Sequence, residues 1–250
     1  EKNIISIRND GSKKNLEKIY EVKNLKKINY CPDHGFFIEK KFYKKKKKNY
    51  RVISINLACD MPEIRFKHFG NKKTRIQNFC KEMSLFICKL CNNYENLIVY
   101  LIPHIYSDLQ VYNEILKFLP DDVRRKKIFI GEFGSGSKSA IKTLEYYLRS
   151  DLVLGTRFHS NVSSIGLLKD TIGLKNFPQI EYLYDEIGQS KSVIDISKPI
   201  FKSKLFKKVK EVFDKTKKSS FKKKKTLLGV KKDREKFAKI LKVWIKKNNL

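Results

Sequence analysis

The chain has 250 residues, enough for one or two domains with a sizeable core. Apolar residues make up 41% of it, which excludes a disordered tail, and no apolar run reaches bilayer length. The formal net charge is +30, with lysine density highest at 44–48, at 222–225 and near the C-terminus, but Lys, Asn and Ile are abundant throughout. A coding bias accounts for that charge better than a nucleic-acid footprint does, since no zinc-finger spacing, aromatic RNA-binding motif or helix-turn-helix accompanies it.

Residues 4–8 read as a first strand and 50–56 as a second. Ile76, Phe79, Cys80, Met83, Phe86, Ile87 and Leu90 recur at helical spacing. Residues 97–102 form a buried strand stopped by Pro103, and 109–119 a helix ended by Pro120. Then follow strand 127–130, helix 139–149, strand 152–154, helix 162–168, strand 171–174 and helix 178–187. This alternation predicts an α/β fold, a Rossmann-like parallel sheet flanked by helices.

The composition changes after Lys198. We divide the chain into a Rossmann-like unit, 1–197, and a basic helical extension, 198–250. Leu205, Val209, Val212 and Phe213 form one apolar stripe of the extension; Phe237, Ile240, Leu241, Trp244 and Ile245 form another. Docking of such stripes on the chain's own domain is the favoured reading, with contact to an anionic membrane surface as the alternative.

Cysteines stand at 31, 59, 80, 88 and 91. The CxxC of Cys88 and Cys91 lies inside a helical pattern and has no second pair. Buried thiols in a reducing compartment fit better than zinc or disulfides. No signal peptide precedes the first strand, which together with the thiols points to the cytoplasm, with the inner membrane face as a peripheral location. Glu1 runs almost directly into that strand, so a preceding half of a longer protein is expected.

A parallel sheet places its ligand site beyond the carboxyl ends of its strands. Arg8 and Asp10 follow the first strand, Cys59 and Asp60 the second, His104 and Asp108 the third, and the glycine-rich stretch 131–137 the fourth. Arg157 and His159 follow the fifth, on a turn that runs into a helix. Arginines suit an anion, and a histidine beside them suits moving a proton. The glycine stretch lacks the spacing of a phosphate-binding P-loop and reads as a connection or lid. His34 and His68 read as turn and loop residues, and no carboxylate cluster calls for a metal.

Together these residues resemble the polysaccharide pyruvyl transferase family, over about 4–188. The carriers are the opening Ser6-Ile7-Arg8, the pair Pro32-Asp33, His104 with Asp108, and above all Asp151-Leu-Val-Leu-Gly-Thr-Arg157-Phe158-His159. The pattern departs at Gln179, where a lysine is common, and at Lys169-Asp170. The resemblance implies the C-terminal half of a GT-B-like protein that moves pyruvate from phosphoenolpyruvate onto a sugar of a surface or lipid-linked glycan, forming a cyclic ketal. It implies no cofactor beyond that donor substrate. It places Arg8, Arg157 and the Phe158 backbone on the donor's phosphate and carboxylate, with Asp10 and Asp108 beside them, and His159 and His104 as acid or base. Two rivals remain at this point: a nucleotide-sugar glycosyltransferase of similar architecture, and a non-enzymatic basic protein that binds nucleic acid or anionic lipid.

Overall fold

The computed structural model describes residues 3–19, 28–38, 48–214 and 218–248. Six parallel strands form the main sheet: β3 (Arg51–Asn56), β4 (Leu97–Leu101), β5 (Ile128–Ile130), β6 (Leu152–Gly155), β7 (Asp170–Lys175) and β8 (Val193–Asp195). Their spatial order is β5-β4-β3-β6-β7-β8. The chain builds outward from β3 to one edge, then returns to β6 and builds to the other. The switch point therefore lies between β3 and β6, where an open α/β sheet leaves a crevice at its carboxyl edge.

Strands β3 and β6 are central and buried on both faces, which is why they read as continuous apolar runs. Around the sheet lie α2 (Pro62–Arg65), α3 (Arg75–Asn93), α4 (Tyr106–Phe118), α5 (Asp121–Lys127), α6 (Gly136–Arg149), α7 (Phe158–Gly166) and α8 (Pro178–Glu186). The stripe of α3 buries Phe79, Cys80, Met83, Phe86, Ile87 and Leu90 against Ile53, Ile55, Val99 and Leu101. On the opposite face Tyr147 of α6 meets Val153 and Leu167.

Two departures from the sequence reading matter. Strand β1 (Ile5–Ile7) is not part of the main sheet; it pairs in parallel with β2 (Ile28–Tyr30) in a separate two-stranded sheet. Neither β2 nor β8 was expected, because three-residue strands carry too little pattern to show a period. Helix α9 (Phe201–Asp214) packs on the sheet, as the favoured reading of its apolar stripe had it. Phe201, Leu205 and Val209 lie in the same buried cluster as β3 and α3, and Phe201 packs 6.2 Å from Phe79, ring to ring.

Helix α10 (Lys218–Lys247) follows, and its Val230 joins Phe36, Phe158 and Val162. Among the described residues, positions 198–248 form no core of their own. Of the lysine-rich run 44–48, only Lys48 is described; its Nζ donates to Asp151 at 2.6 Å. All five cysteines are free thiols; Cys59, Cys80 and Cys91 are buried, and burial pushes the Cys80 thiol up to about 12 and that of Cys91 to about 11. No described helix is long and apolar enough to cross a membrane.

A single-turn 3-10 helix, His34–Phe37, lies directly on α7. Contact is so close that a Cβ on Gly166 would come within 2.6 Å of the Phe36 carbonyl oxygen. Gly166→Ala should therefore destabilise by about 1–3 kcal/mol in urea unfolding, whereas Gly229→Ala, which meets nothing within 4 Å on α10, should be neutral or stabilising. Leu205→Ala should cost about 2–5 kcal/mol in the same assay if α9 belongs to the core, against under about 0.5 kcal/mol for an extension docked on the surface.

Candidate active site

Arg157 leaves β6 and immediately precedes α7. Its Nε donates to Asp108 Oδ2 at 2.9 Å and its Nη2 to Asp108 Oδ1 at 2.5 Å, the forked match between guanidinium and carboxylate. The same Nη2 reaches Asp60 Oδ1 at 2.7 Å. Asp108 is fully buried and also accepts the backbone N–H groups of His104 and Ile105, at 2.9 and 3.3 Å, which caps α4. Asp60 in turn accepts from Arg65 Nη2 at 3.2 Å, and Arg65 Nη1 donates to Asn176 at 2.9 Å, just past β7. Asn56, the last residue of β3, donates to Ile102 O at 2.9 Å and accepts from the Arg157 N–H at 3.2 Å. The ends of β3, β4, β6 and β7 are thus laced together across the switch point.

A second arginine arrives from the small sheet. Arg8 Nε donates to Asp10 at 2.7 Å and Nη1 to Asp33 at 3.0 Å, while its guanidinium lies 4.7 Å from the Phe158 ring centroid. Asp10 also caps α1 (Ser12–Ile19) through Ser12. His159 Nε2 stands 3.5 Å from Asp33 Oδ2, an ion-pair distance rather than a well-formed hydrogen bond. The neighbouring His159 is the main cause that brings the Asp33 carboxyl down to about 2; burial opposes it, and the Gly35 N–H and Arg8 assist.

A cavity of about 360 Å3 is lined by His104, Tyr147, His159, Ser163, Gly134, Gly136 and Ser139. The glycine stretch thus borders the same space as both histidines, with the first turn of α6 facing it. The N–H groups of Phe158 and His159, in the first turn of α7, have no intrahelical acceptor. His104 Nε2 lies 2.6 Å from the Tyr147 hydroxyl. Burial pushes the His104 imidazole down to about 4, with Arg157 and His159 adding to the effect and Asp108 opposing it.

Fixed charge at the edge is slightly negative rather than positive. Arg8, Arg65 and Arg157 face Asp10, Asp33, Asp60 and Asp108, three cations against four anions. Each of Arg8 and Arg157 still has one guanidinium nitrogen with no partner among the described residues. The Asn9 and Asn176 side-chain amides are buried with an unpartnered nitrogen among the described residues. No group of three or more His, Cys, Asp or Glu among the described residues is placed to hold a metal ion.

Arg8, His104, Arg157, Phe158 and His159 are brought to one edge, Arg8 by a route the sequence did not indicate. Asp10 and Asp108 have their carboxylates taken up by guanidinium and backbone groups. Sequence reasoning missed Tyr147, Arg65 and Asn176 as site residues, and it met Asp33 only within a turn-rich segment and in the family resemblance, with no role assigned to it. For Asp33 a signal existed: an aspartate two residues before Gly35, whose N–H it accepts at 2.8 Å. Tyr147, one apolar position among several on α6, carried none.

A search among curated proteins finds no match. Among solved structures, the S. aureus MnaA-UDP co-structure matches with a TM-score of 0.47 at 12% identity over 80% of this chain and 48% of that one. A putative UDP-N-acetylglucosamine 2-epimerase from Listeria monocytogenes gives 0.45 at 12% identity over 70% and 39%. The trehalose-6-phosphate phosphatase N-terminal domain of Candida albicans gives 0.47 at 10% over 79% and 42%. This chain therefore spans less than half the length of these structures. Residues 1–176, which include every residue of the edge just described, match the sequence profile of the family described as "Polysaccharide pyruvyl transferase", and the chain belongs to that family.

Proposed function

We propose that the chain carries the donor-binding half of an enzyme that transfers pyruvate from phosphoenolpyruvate to two hydroxyls of a glycan, leaving a cyclic ketal. The observation that carries this reading is the cavity shared by His104 and His159 and bordered by the first turn of α6, with Arg157 directly preceding the helix that carries His159 and Arg8 bonded to the Asp33 that His159 faces. The donor's phosphate and carboxylate would be held by the remaining guanidinium nitrogens of Arg8 and Arg157 and by the free N–H groups at the start of α7. Because fixed charge at the edge is not positive, those directional donors, not a general positive field, would select the anion.

The reaction adds one hydroxyl across the enol. Its oxygen bonds C2 as the C2–C3 double bond opens, and its proton ends on C3, making a methyl group. The second hydroxyl oxygen then bonds C2 as the C2–O bond to phosphate breaks, and its proton leaves with the phosphate. His159 is exposed on the cavity side and is assigned as the carrier that takes the first proton and delivers it to C3. His104, neutral well below pH 7, is assigned as a hydrogen-bond acceptor that orients an acceptor hydroxyl. Asp108 and Asp10 are positioning residues for the two arginines. The second half of α10 sets Lys236, Lys239 and Lys242 beside the exposed Ile240 and Val243, and it is the surface assigned to an anionic membrane carrying a lipid-linked acceptor.

His159→Ala should abolish ketal formation, a loss of about 100-fold or more, while phosphoenolpyruvate binding by calorimetry weakens by less than about tenfold. Full turnover by this variant would overturn the role of His159. Binding of UDP- or GDP-sugars in preference to phosphoenolpyruvate would overturn the reaction class. Stability should also follow His104. Its lowered pKa means the unfolded chain binds a proton first, so stability is complete above about pH 6.5 and falls between 6.5 and 4. The loss stays within about 3 kcal/mol, because the ring keeps an edge on the cavity. The Asp33 contribution is lost only lower, between about 3.8 and about 2. Urea titrations across this range should show the upper slope vanish in His104→Gln.

A further inference from the structure

A guanidinium offers an anion two forks, one on its side from Nε and one Nη, the other at its end from the two Nη groups. Asp108 fills the side fork of Arg157, accepting from Nε at 2.9 Å and from Nη2 at 2.5 Å. Asp60 accepts from Nη2 as well, at 2.7 Å, and so occupies one nitrogen of the end fork. The other nitrogen of that fork, Nη1, has no partner among the described residues. Asp108 is fully buried and beyond a ligand's reach, whereas the Asp60 side chain is 31% exposed and that of Arg157 16%.

A carboxylate or phosphate that grips the end fork with two oxygens therefore meets Asp60 there. It cannot simply be added, because Nη2 has two protons and both are taken. Asp60 has a second place to go. Its other carboxylate oxygen already accepts from Arg65 Nη2 at 3.2 Å, long for a charge-assisted bond and able to shorten. Arg65 Nε also donates to the Asp60 carbonyl at 2.8 Å, so the residue stays tethered when its carboxylate leaves Arg157. Arg65 is itself buried, steadied by Asn176 at 2.9 Å and by the Phe177 ring, whose centroid lies 5.1 Å away.

We propose that Asp60 is an exchangeable placeholder on Arg157, which holds the seat of the donor's anionic group and passes to Arg65 when that group binds. Asp60 and Arg65 thereby set donor affinity, since binding must break one charge-assisted bond to make its own. The exchange rests on the geometry of Arg157, Asp60 and Arg65. That the anion is phosphoenolpyruvate rests on the pyruvyl-transfer reading above.

The test is calorimetry on the full chain with phosphoenolpyruvate and, separately, with inorganic phosphate. Asp60→Asn keeps the shape and removes the charge, and it should tighten binding of both anions by roughly three- to tenfold. Glu63→Gln removes the same charge from the exposed first turn of α2 and should change either Kd by less than about twofold. Arg65→Met leaves Asp60 with Arg157 alone and should weaken binding by roughly threefold or more, an effect that should vanish when Asp60→Asn is combined with it. If Arg65→Met does not fold, the comparison of Asp60→Asn with Glu63→Gln decides alone. Unchanged or weaker binding in Asp60→Asn, equal tightening in Glu63→Gln, an Arg65 effect that persists without the Asp60 charge, or no saturable binding of either anion to wild type and Asp60→Asn would overturn the proposal. If inorganic phosphate follows the expected pattern and phosphoenolpyruvate binds to none of these proteins, the exchange stands and the pyruvyl-transfer reading fails.

Discussion

The grip of Arg157 on Asp108 and Asp60 is the interaction on which the edge depends. Two carboxylates, one from just beyond β3 and one from the first turn of α4, meet on the guanidinium that leaves β6, and the deeper of them, Asp108, has no solvent contact. An ion pair of this kind adds little net stability relative to apolar packing, but loss of one partner strands a charge in the interior, at a cost of about 3–5 kcal/mol. The pairing is thus better understood as fixing position. It sets the height of α7 over β6, and with it the places of Phe158 and His159. It also sets the turn before α4, since the same carboxylate holds the N–H of His104.

That arrangement separates the charge of the site from the charge of the chain. The whole sequence carries +30, yet at the strand ends carboxylates outnumber guanidinium groups. The surplus of lysine lies elsewhere, much of it along α10. A net positive field brings anions toward the protein without choosing among them, whereas a few oriented nitrogens beside a cavity choose by shape. The family resemblance and the geometry meet on the same small set of residues, none of them lysine.

The main sheet was legible because its strands are long enough, and buried enough, to show as apolar runs. Residues 50–56, 97–102 and 152–154 differ from β3, β4 and β6 by one residue at an end. Helix α7 was the least well bounded, expected from Val162 but starting at Phe158. Its first turn holds a histidine, a serine and an asparagine, and the serine and asparagine are buried by specific hydrogen bonds, not by apolarity. The pairing of β1 with β2 could not be read, because two three-residue strands separated by twenty residues leave no periodic trace. Convergence of Arg8 on the edge was expected for the wrong reason: it arrives by its bonds to Asp33 and its stacking on Phe158, not by membership of the sheet. Tyr147 was invisible because a tyrosine hydroxyl takes its meaning only from what stands opposite it.

The close seat of the His34–Phe37 turn on Gly166 has a mechanical consequence. That turn begins right after Asp33, and α7, which it touches, begins with Phe158 and His159. A carboxylate and an imidazole more than a hundred residues apart in the chain therefore ride on one wedge, pressed together where a glycine admits a carbonyl oxygen. Because α7 is itself packed on β6 and β7, the turn that follows Asp33 is held with His159 on the large sheet, so the spacing of the pair is set by that seat and not by the position of the small sheet.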